Sequence, residues 1–191
     1  ANGRKRLAQV FILSLVPVIL VLLSAGRIDL PWVWIYLGLV WLSLVIGGAY
    51  VLRCNPQAIN ERGRKAENQK GWDKQILSVY TPVYFLVFIT AGIDARYNFS
   101  FIPLWLHILG GLGVAFSSYI TYAAMAHNKF LAQVVQVATE RGHQAATSGP
   151  YSRVRHPMYL GLVISWPSVC LLLGSWWALA PGMIAALLIV V

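Results

Sequence analysis

Long stretches of apolar residues dominate the chain. Six of them contain no Asp, Glu, Lys or Arg: residues 7–26, 31–52, 76–93, 101–126, 157–174 and 175–191. An α-helix needs about 20 mostly apolar residues to cross the hydrocarbon core of a bilayer. The first four runs therefore predict one transmembrane helix each. The last two are separated only by Gly174-Ser175, which predicts a tight helical hairpin with Trp176 and Trp177 at its interfacial turn.

Composition agrees with this pattern. Of the 191 residues, 58% are hydrophobic and 11% are charged, so the chain is far more apolar than a soluble domain. Two cysteines are too few for a disulfide scaffold or a Cys-rich zinc module. We expect an all-α integral membrane protein with about six transmembrane helices.

The net charge of +9 would suggest a nucleic-acid partner in a soluble protein. Here the basic residues lie mainly in alternate connections between the apolar runs. Three precede the first run, six follow the second and four lie between the fourth and fifth, whereas Arg27 and Arg96 stand alone in the other two connections. Because basic loops stay in the cytoplasm, this asymmetry predicts cytoplasmic termini in a bacterial inner membrane or the endoplasmic reticulum. It argues against nucleic acid as a partner.

The first apolar run has an alternative interpretation as a cleaved signal peptide. Three basic residues precede it, and Ser24-Ala25-Gly26 supplies small residues for cleavage. The run is longer than the usual apolar region of roughly 7 to 15 residues in such peptides. We therefore expect a retained helix.

Two regions follow from this topology. Residues 1–126 form a four-span membrane region with a basic cytoplasmic loop at 53–75, and residues 127–191 combine a cytoplasmic segment with the C-terminal hairpin. The segment between spans four and five, residues 127–156, is too long for an ordinary connection and is either disordered or functional. Its apolar stretch at 130–137 and its Gly149-Pro150-Tyr151 turn favour order.

The end of this segment contains the residues that could bind a ligand or take part in chemistry. Tyr151 and Tyr159 can stack on a heteroaromatic ring, His156 can donate or accept a hydrogen bond, and Arg155 can pair with a carboxylate. Pro157 suits the first position of a helix, whose N-terminus favours anions. The same residue types also serve as ordinary interfacial anchors. The residues alone leave both interpretations open.

Other candidate motifs have structural explanations. The glycines near residue 110 lack the preceding strand of a dinucleotide-binding motif, and close helix packing through Gly110, Gly111 and Ala115 explains them better. His107, near the outer end of the fourth run, is expected to be a helix-packing or interfacial residue rather than a ligand. The four histidines lack the spacing and the cysteine partners of a zinc site, so no metal is expected.

Three short stretches together resemble the signature of a known family. They are Gly142-His143, then the five residues from Thr147 to Tyr151, then the seven from Arg155 to Gly161. This pattern is similar to that of the isoprenylcysteine carboxyl methyltransferase family, which includes related bacterial and phospholipid methyltransferases. The resemblance covers about residues 128–191. It implies an S-adenosylmethionine-dependent membrane methyltransferase with a cytoplasmic cofactor pocket and a lipophilic acceptor from the bilayer, foremost a prenylcysteine-type carboxylate.

The resemblance also implies the residues that contact the cofactor. By position these are Gln136, His143, Gln144, Ala145, Ala146, Tyr151, His156, Pro157, Met158 and Tyr159. The family often has bulkier aliphatic residues where this chain has Ala145 and Ala146, so the resemblance does not determine the shape of the adenosine side of the pocket. No catalytic residue is implied. Arg155 suits a substrate carboxylate, the carboxylate of the cofactor or a lipid phosphate.

The chain departs from the family at its end. The final helix of the family continues into an Arg and a Glu-Glu pair, whereas this sequence stops at Val191. We therefore expect the native chain to continue beyond Val191. Two other functions stay open: a sterol-type NADPH-dependent membrane reductase, and a non-catalytic scaffold or transporter subunit.

Overall fold

Six α-helices of eleven or more residues lie in the part of the chain that the structure describes. The computed structural model describes residues 9–56, 71–128 and 147–190. Its helices are α1 (Leu15–Ala25), α2 (Pro31–Cys54), α3 (Gly71–Tyr97), α4 (Leu104–His127), α5 (Pro157–Leu173) and α6 (Leu179–Val190), with a 3₁₀ turn at Gly149–Ser152 before α5. Each helix coincides with one of the six apolar runs, and these described ranges contain no strand. The prediction of an all-α membrane protein is confirmed.

The helices differ in length. Within the described ranges, three segments are long and apolar enough to cross a membrane: Pro31–Cys54, Lys74–Tyr97 and Leu104–His127. The other three, Gln9–Ala25, Pro157–Leu173 and Leu179–Val190, are apolar but shorter. In the first of these the helix is interrupted at Ser14, because Pro17 lacks the N–H that would bond the carbonyl of Leu13. A count of six spans stays a prediction for these shorter helices.

Consecutive helices run in opposite directions, so the bundle has two ends. The hairpin end is where α1, α3 and α5 finish, and the site end is where α2 and α4 finish and α5 begins. Exposed tryptophans gather at the hairpin end, at Trp34, Trp105 and Trp177. Tryptophan at this position is typical of a membrane–water interface.

Helices α4 and α5 approach each other closely along a row of small residues, which we call the glycine seam. A methyl group on Gly110 would lie 2.5 Å from the backbone nitrogen of Leu172, and one on Gly161 would lie 2.9 Å from the backbone oxygen of Ser117. Gly113 faces the Ser168 side chain in the same way. Close approach through small residues is a common mode of helix association in membranes.

The seam differs in part from the sequence prediction. Gly110 is confirmed, but a methyl group on Gly111 would make only ordinary contacts of 3.7 Å, and Ala115 lines a groove on another face. Gly113 makes the close contact instead, because residues three or four positions apart lie on the same face of a helix. Gly110, Gly113 and Ser117 follow that spacing along the face toward α5, whereas Gly111 and Ala115, also four apart, share another face.

A buried carboxylate joins three elements at the hairpin end. Asp94, near the end of α3, accepts hydrogen bonds from the backbone N–H and the hydroxyl of Ser100 at 2.8 and 2.6 Å, and from the hydroxyl of Ser175. Ser175 lies in the turn between α5 and α6. Because a buried polar group must find partners, Asp94 fixes this turn against the end of α3.

The hairpin turn itself confirms the predicted Gly174-Ser175 connection. Gly174 ends α5 with a φ of 83°, a left-handed conformation that favours glycine. The ring of His107 lies against it, and a methyl group on Gly174 would be 2.8 Å from that ring. His107 also stacks on Trp32 with ring centroids 4.2 Å apart and bonds the Leu172 carbonyl through Nδ1 at 2.9 Å. Of the two roles predicted for His107, helix packing is confirmed.

Substitution of Gly110 by Ala tests the glycine seam. The added methyl group meets backbone atoms of α5, which cannot rotate away, so we expect a loss of roughly 2 kcal/mol in stability and a lower thermal midpoint in detergent. The matched control is Gly38→Ala in α2, where nothing lies within 4 Å of the new methyl group. Equal midpoints for the two variants would contradict the close approach of α4 and α5.

Candidate functional site

The candidate site is at the site end, where the last residues of α4 meet the 3₁₀ turn and the first turn of α5. Pro157 occupies the first position of α5, as predicted, and its side chain is fully buried. His156 precedes it as the N-cap residue but makes no side-chain capping hydrogen bond. Its ring is therefore not used to cap the helix.

The Gly149-Pro150-Tyr151 turn rests on the end of α4. Gly149 has a φ of 60°, and a methyl group there would lie 2.5 Å from the ring of His127. Only glycine combines this backbone conformation with so close a neighbour. The Nδ2 of Asn128 donates to the hydroxyl of Tyr151 at 3.2 Å. The turn is thus held by both residues that finish α4.

A residue from the N-terminal half supports this arrangement. Asn55, directly after α2, is 4% exposed, and its Nδ2 donates to the carbonyls of Met125 and Asn128 at 3.1 and 2.9 Å. Carbonyls at the end of a helix lack partners within it, so Asn55 caps α4 from outside. A chain of hydrogen bonds therefore runs from Asn55 through Asn128 to Tyr151.

Two aromatic rings stand at the start of α5. His156 and Tyr159 lie nearly parallel, with ring centroids 5.6 Å apart and an interplanar angle of 21°. Tyr159 is 39% exposed, and His156 is also exposed. Rings that are both ordered and accessible offer a surface on which a flat or cationic ligand can stack.

The site end is basic in the described part of the chain. Arg53, Lys74, Arg153 and Arg155 are exposed there. Asp29 and Asp94, the acidic residues whose side chains are described, both belong to the hairpin end, and Asp29 pairs with Arg27. Arg155 makes no ion pair with either of them. The positive charges and the positive end of α5 together favour an anionic ligand.

The structure describes half of the residues that the sequence predicts for the cofactor. Tyr151, His156, Pro157, Met158 and Tyr159 come together at the site end. The remaining five lie outside the described residues: Gln136, His143, Gln144, Ala145 and Ala146. Within the ranges that the structure describes, no cluster of three His, Cys, Asp or Glu residues is placed to hold a metal.

Sequence reasoning missed Asn55 and Asn128. A polar residue directly after a long apolar run looks like the start of a solvated loop, and both asparagines stand at such positions. No local sequence pattern indicated that the two helix ends meet. The one available signal was that α2 and α4 both finish at the site end in the predicted topology.

These features define a helical membrane protein with a polar, basic site where α4, a glycine turn and α5 meet. Residues 105–191, which include almost all of α4 and the whole of α5 and α6, match the family of phospholipid methyltransferases. The match covers somewhat less than half of the chain and supports a membrane methyltransferase in general. The resemblance found in the sequence is confirmed at this level. No curated protein and no solved structure matched the chain.

Replacement of Asn55 by Ala tests the hydrogen-bond chain that supports the Tyr151 turn. The variant leaves two carbonyls of α4 without this donor, which costs about 1 to 3 kcal/mol. We expect faster backbone hydrogen exchange at residues 151–154, whose amides bond within the turn. Mass spectrometry of the corresponding peptides measures the rate.

The control is Cys54→Ala, because Cys54 is the exposed neighbour of Asn55 and forms no disulfide. It should leave the exchange rate of the turn unchanged. Native exchange in the Asn55 variant would show that Asn55 does not hold the turn.

Proposed function

We propose that the protein transfers a methyl group from S-adenosylmethionine to a lipophilic acceptor at the membrane surface. The observation that carries this proposal is the meeting of Tyr151, His156 and Tyr159 at one end of a bundle whose residues 105–191 match a methyltransferase family. Enzymes that transfer methyl groups generally use this cofactor. The cofactor segment and the C-terminal hairpin, residues 127–191, form the methyltransferase-like region of the proposal, joined to the four-helix region 1–126.

The described side chains suit this cofactor. Bound S-adenosylmethionine supplies a methyl group already activated on a positively charged sulfur. The stacked rings of His156 and Tyr159 present faces that attract a cation or an adenine ring. The N-terminus of α5 and Arg155 favour a carboxylate. Tyr151, positioned by Asn128, offers a hydroxyl for hydrogen bonding. The five predicted residues outside the described ranges complete this proposed set.

A carboxylate acceptor of the prenylcysteine type suits the charge of the site. A carboxylate needs no proton removed before it attacks a methyl group, whereas an amine requires a base or a route for its proton. The exposed cations at the site end, Arg153 and Arg155 among them, would hold such a carboxylate in line with the methyl group. Alignment is then the main contribution of the protein.

The proposal places the site end in the cytoplasm. The basic loops point that way because positive residues are retained on the cytoplasmic side. Anionic headgroups would add roughly 1 kcal/mol of attraction for each basic residue near the surface. The membrane would be a bacterial inner membrane or the endoplasmic reticulum.

Binding of S-adenosylhomocysteine, the product of the cofactor, tests the site. We expect saturable binding to the purified protein by calorimetry, weakened at least about tenfold in a Tyr151→Ala, His156→Ala double variant through lost hydrogen bonding and stacking. The matched control is Trp177→Ala, which removes an exposed aromatic ring at the hairpin end. It should bind like the native protein.

Unchanged affinity in the double variant would contradict the residue assignment. Stabilisation by NADPH but not by S-adenosylmethionine in a thermal-shift comparison would contradict the proposed cofactor and favour the reductase. No stabilisation by either would favour the non-catalytic scaffold.

A further inference from the structure

An apolar groove of about 400 Å³ lies between α2 and α4. One wall runs from Leu39 to Tyr50 on α2, and the other from Ala115 to Tyr122 on α4. Its volume falls within the range of sites that hold one small ligand. Neither the sequence motif nor the family match includes α2, so the groove is not part of the site described above.

The groove faces the bilayer. Leu42, Ile46 and Tyr119 are among its lining residues and are 56%, 61% and 68% exposed. Both helices are long and apolar enough to cross a membrane. Exposed apolar walls on such helices meet hydrocarbon, so the occupant is an apolar chain that enters laterally from the lipid.

Its length corresponds to one leaflet. Leu39 and Tyr50 are eleven residues apart, which is about 16 Å along a helix and about half of the hydrocarbon core. A single extended chain that begins near the membrane surface therefore fits the groove from end to end.

The groove ends close to the candidate site. Gly47 makes room for the ring of Tyr122 on the opposite wall, and Tyr122 then packs with Val51 and Met125. Asn55 and Asn128 follow directly, and Asn128 bonds Tyr151. From Tyr122 to Asn128 the distance along α4 is about 9 Å, a span that the polar end of a lipid can bridge.

We propose that this groove binds the apolar chain of the methyl acceptor and places its polar head at the Tyr151 turn. The inference rests on the proposed function and adds the place where the acceptor is recognised. Because the chain leaves hydrocarbon rather than water, hydrophobic burial adds little, and van der Waals contact with the groove walls holds the chain. The groove therefore positions the acceptor, and the site end selects it by charge.

Photo-crosslinking in vesicles tests the groove. The probe is an N-acetyl-S-prenylcysteine with a diazirine at the end of its chain, added to the protein in phosphatidylcholine vesicles. After illumination, mass spectrometry should find the label within residues 39–50 and 115–122. An excess of unlabelled N-acetyl-S-prenylcysteine should prevent this labelling by competition. Label mainly on other helices would overturn the proposal.

A pair of Ala→Trp variants sharpens the test. Ala115→Trp fills the groove and should lower labelling about tenfold, the equivalent of 1.4 kcal/mol. Ala49→Trp places the same ring on an exposed position of α2 outside the groove and should label normally. Equal labelling of the two variants would overturn the proposal. A phosphatidylcholine that carries a diazirine serves as a second probe. If it labels the groove and unlabelled prenylcysteine does not displace it, bulk lipid fills the groove and the proposal is overturned.

Calorimetry with S-adenosylhomocysteine on the same proteins separates the two proposals. We expect native affinity in Ala115→Trp, because the groove lies outside the cofactor site. If competitive labelling occurs but no variant binds S-adenosylhomocysteine, the groove is supported as a lipid site and the proposed function fails. If the cofactor product binds normally and Ala115→Trp labels like the native protein, the groove assignment fails and the proposed function stands.

Discussion

The close approach of α4 and α5 is the constraint on which the site depends. In a bilayer, helices gain little from hydrophobic burial against one another, so contact depends on packing and hydrogen bonding. The glycine seam lets the two backbones meet along their length, from Gly110 near the hairpin end to Gly161 near the site end. Gly161 lies one turn beyond Pro157. The seam therefore fixes where α5 begins relative to the end of α4, and the candidate site is the space between those two points.

Polar contacts complete the arrangement at each end of the bundle. At the hairpin end, Asp94 bonds Ser100 and Ser175 and so ties α3 to the turn before α6. At the site end, Asn55 and Asn128 connect α2, α4 and the Tyr151 turn. Buried polar groups in an apolar bundle are costly unless satisfied, so each network specifies one arrangement of its helices. The N-terminal half of the chain thereby contributes to a site whose family match begins only at residue 105.

Much of the fold could be predicted from the sequence. Charge-free apolar runs predicted the positions of the six described helices, because an apolar segment in a bilayer must satisfy its backbone hydrogen bonds within a helix. Gly174-Ser175 indicated the hairpin because glycine ends a helix readily. Lengths were less predictable: Pro17 interrupts the first helix at Ser14, and α6 begins only at Leu179.

The site was predictable only where a local motif encodes it. Tyr151, His156 and Tyr159 stand in a recognisable stretch, and the structure brings them to one end of the bundle. Asn55 and the groove between α2 and α4 depend on contacts between residues about 70 positions apart. No local sequence pattern predicts such contacts. Gly111 and Ala115 illustrate the same point, since small size indicated helix packing but only the register of α4 decides which small residues face α5.

Methyl transfer itself tests the central claim most directly. The purified protein in vesicles would receive S-adenosylmethionine with a tritium-labelled methyl group, together with either N-acetyl-S-prenylcysteine or phosphatidylethanolamine. The account predicts label in the prenylcysteine as a base-labile methyl ester, inhibited by S-adenosylhomocysteine. Label found only in the phospholipid headgroup would contradict the carboxylate acceptor, and no transfer to either lipid would contradict methyl transfer at this site.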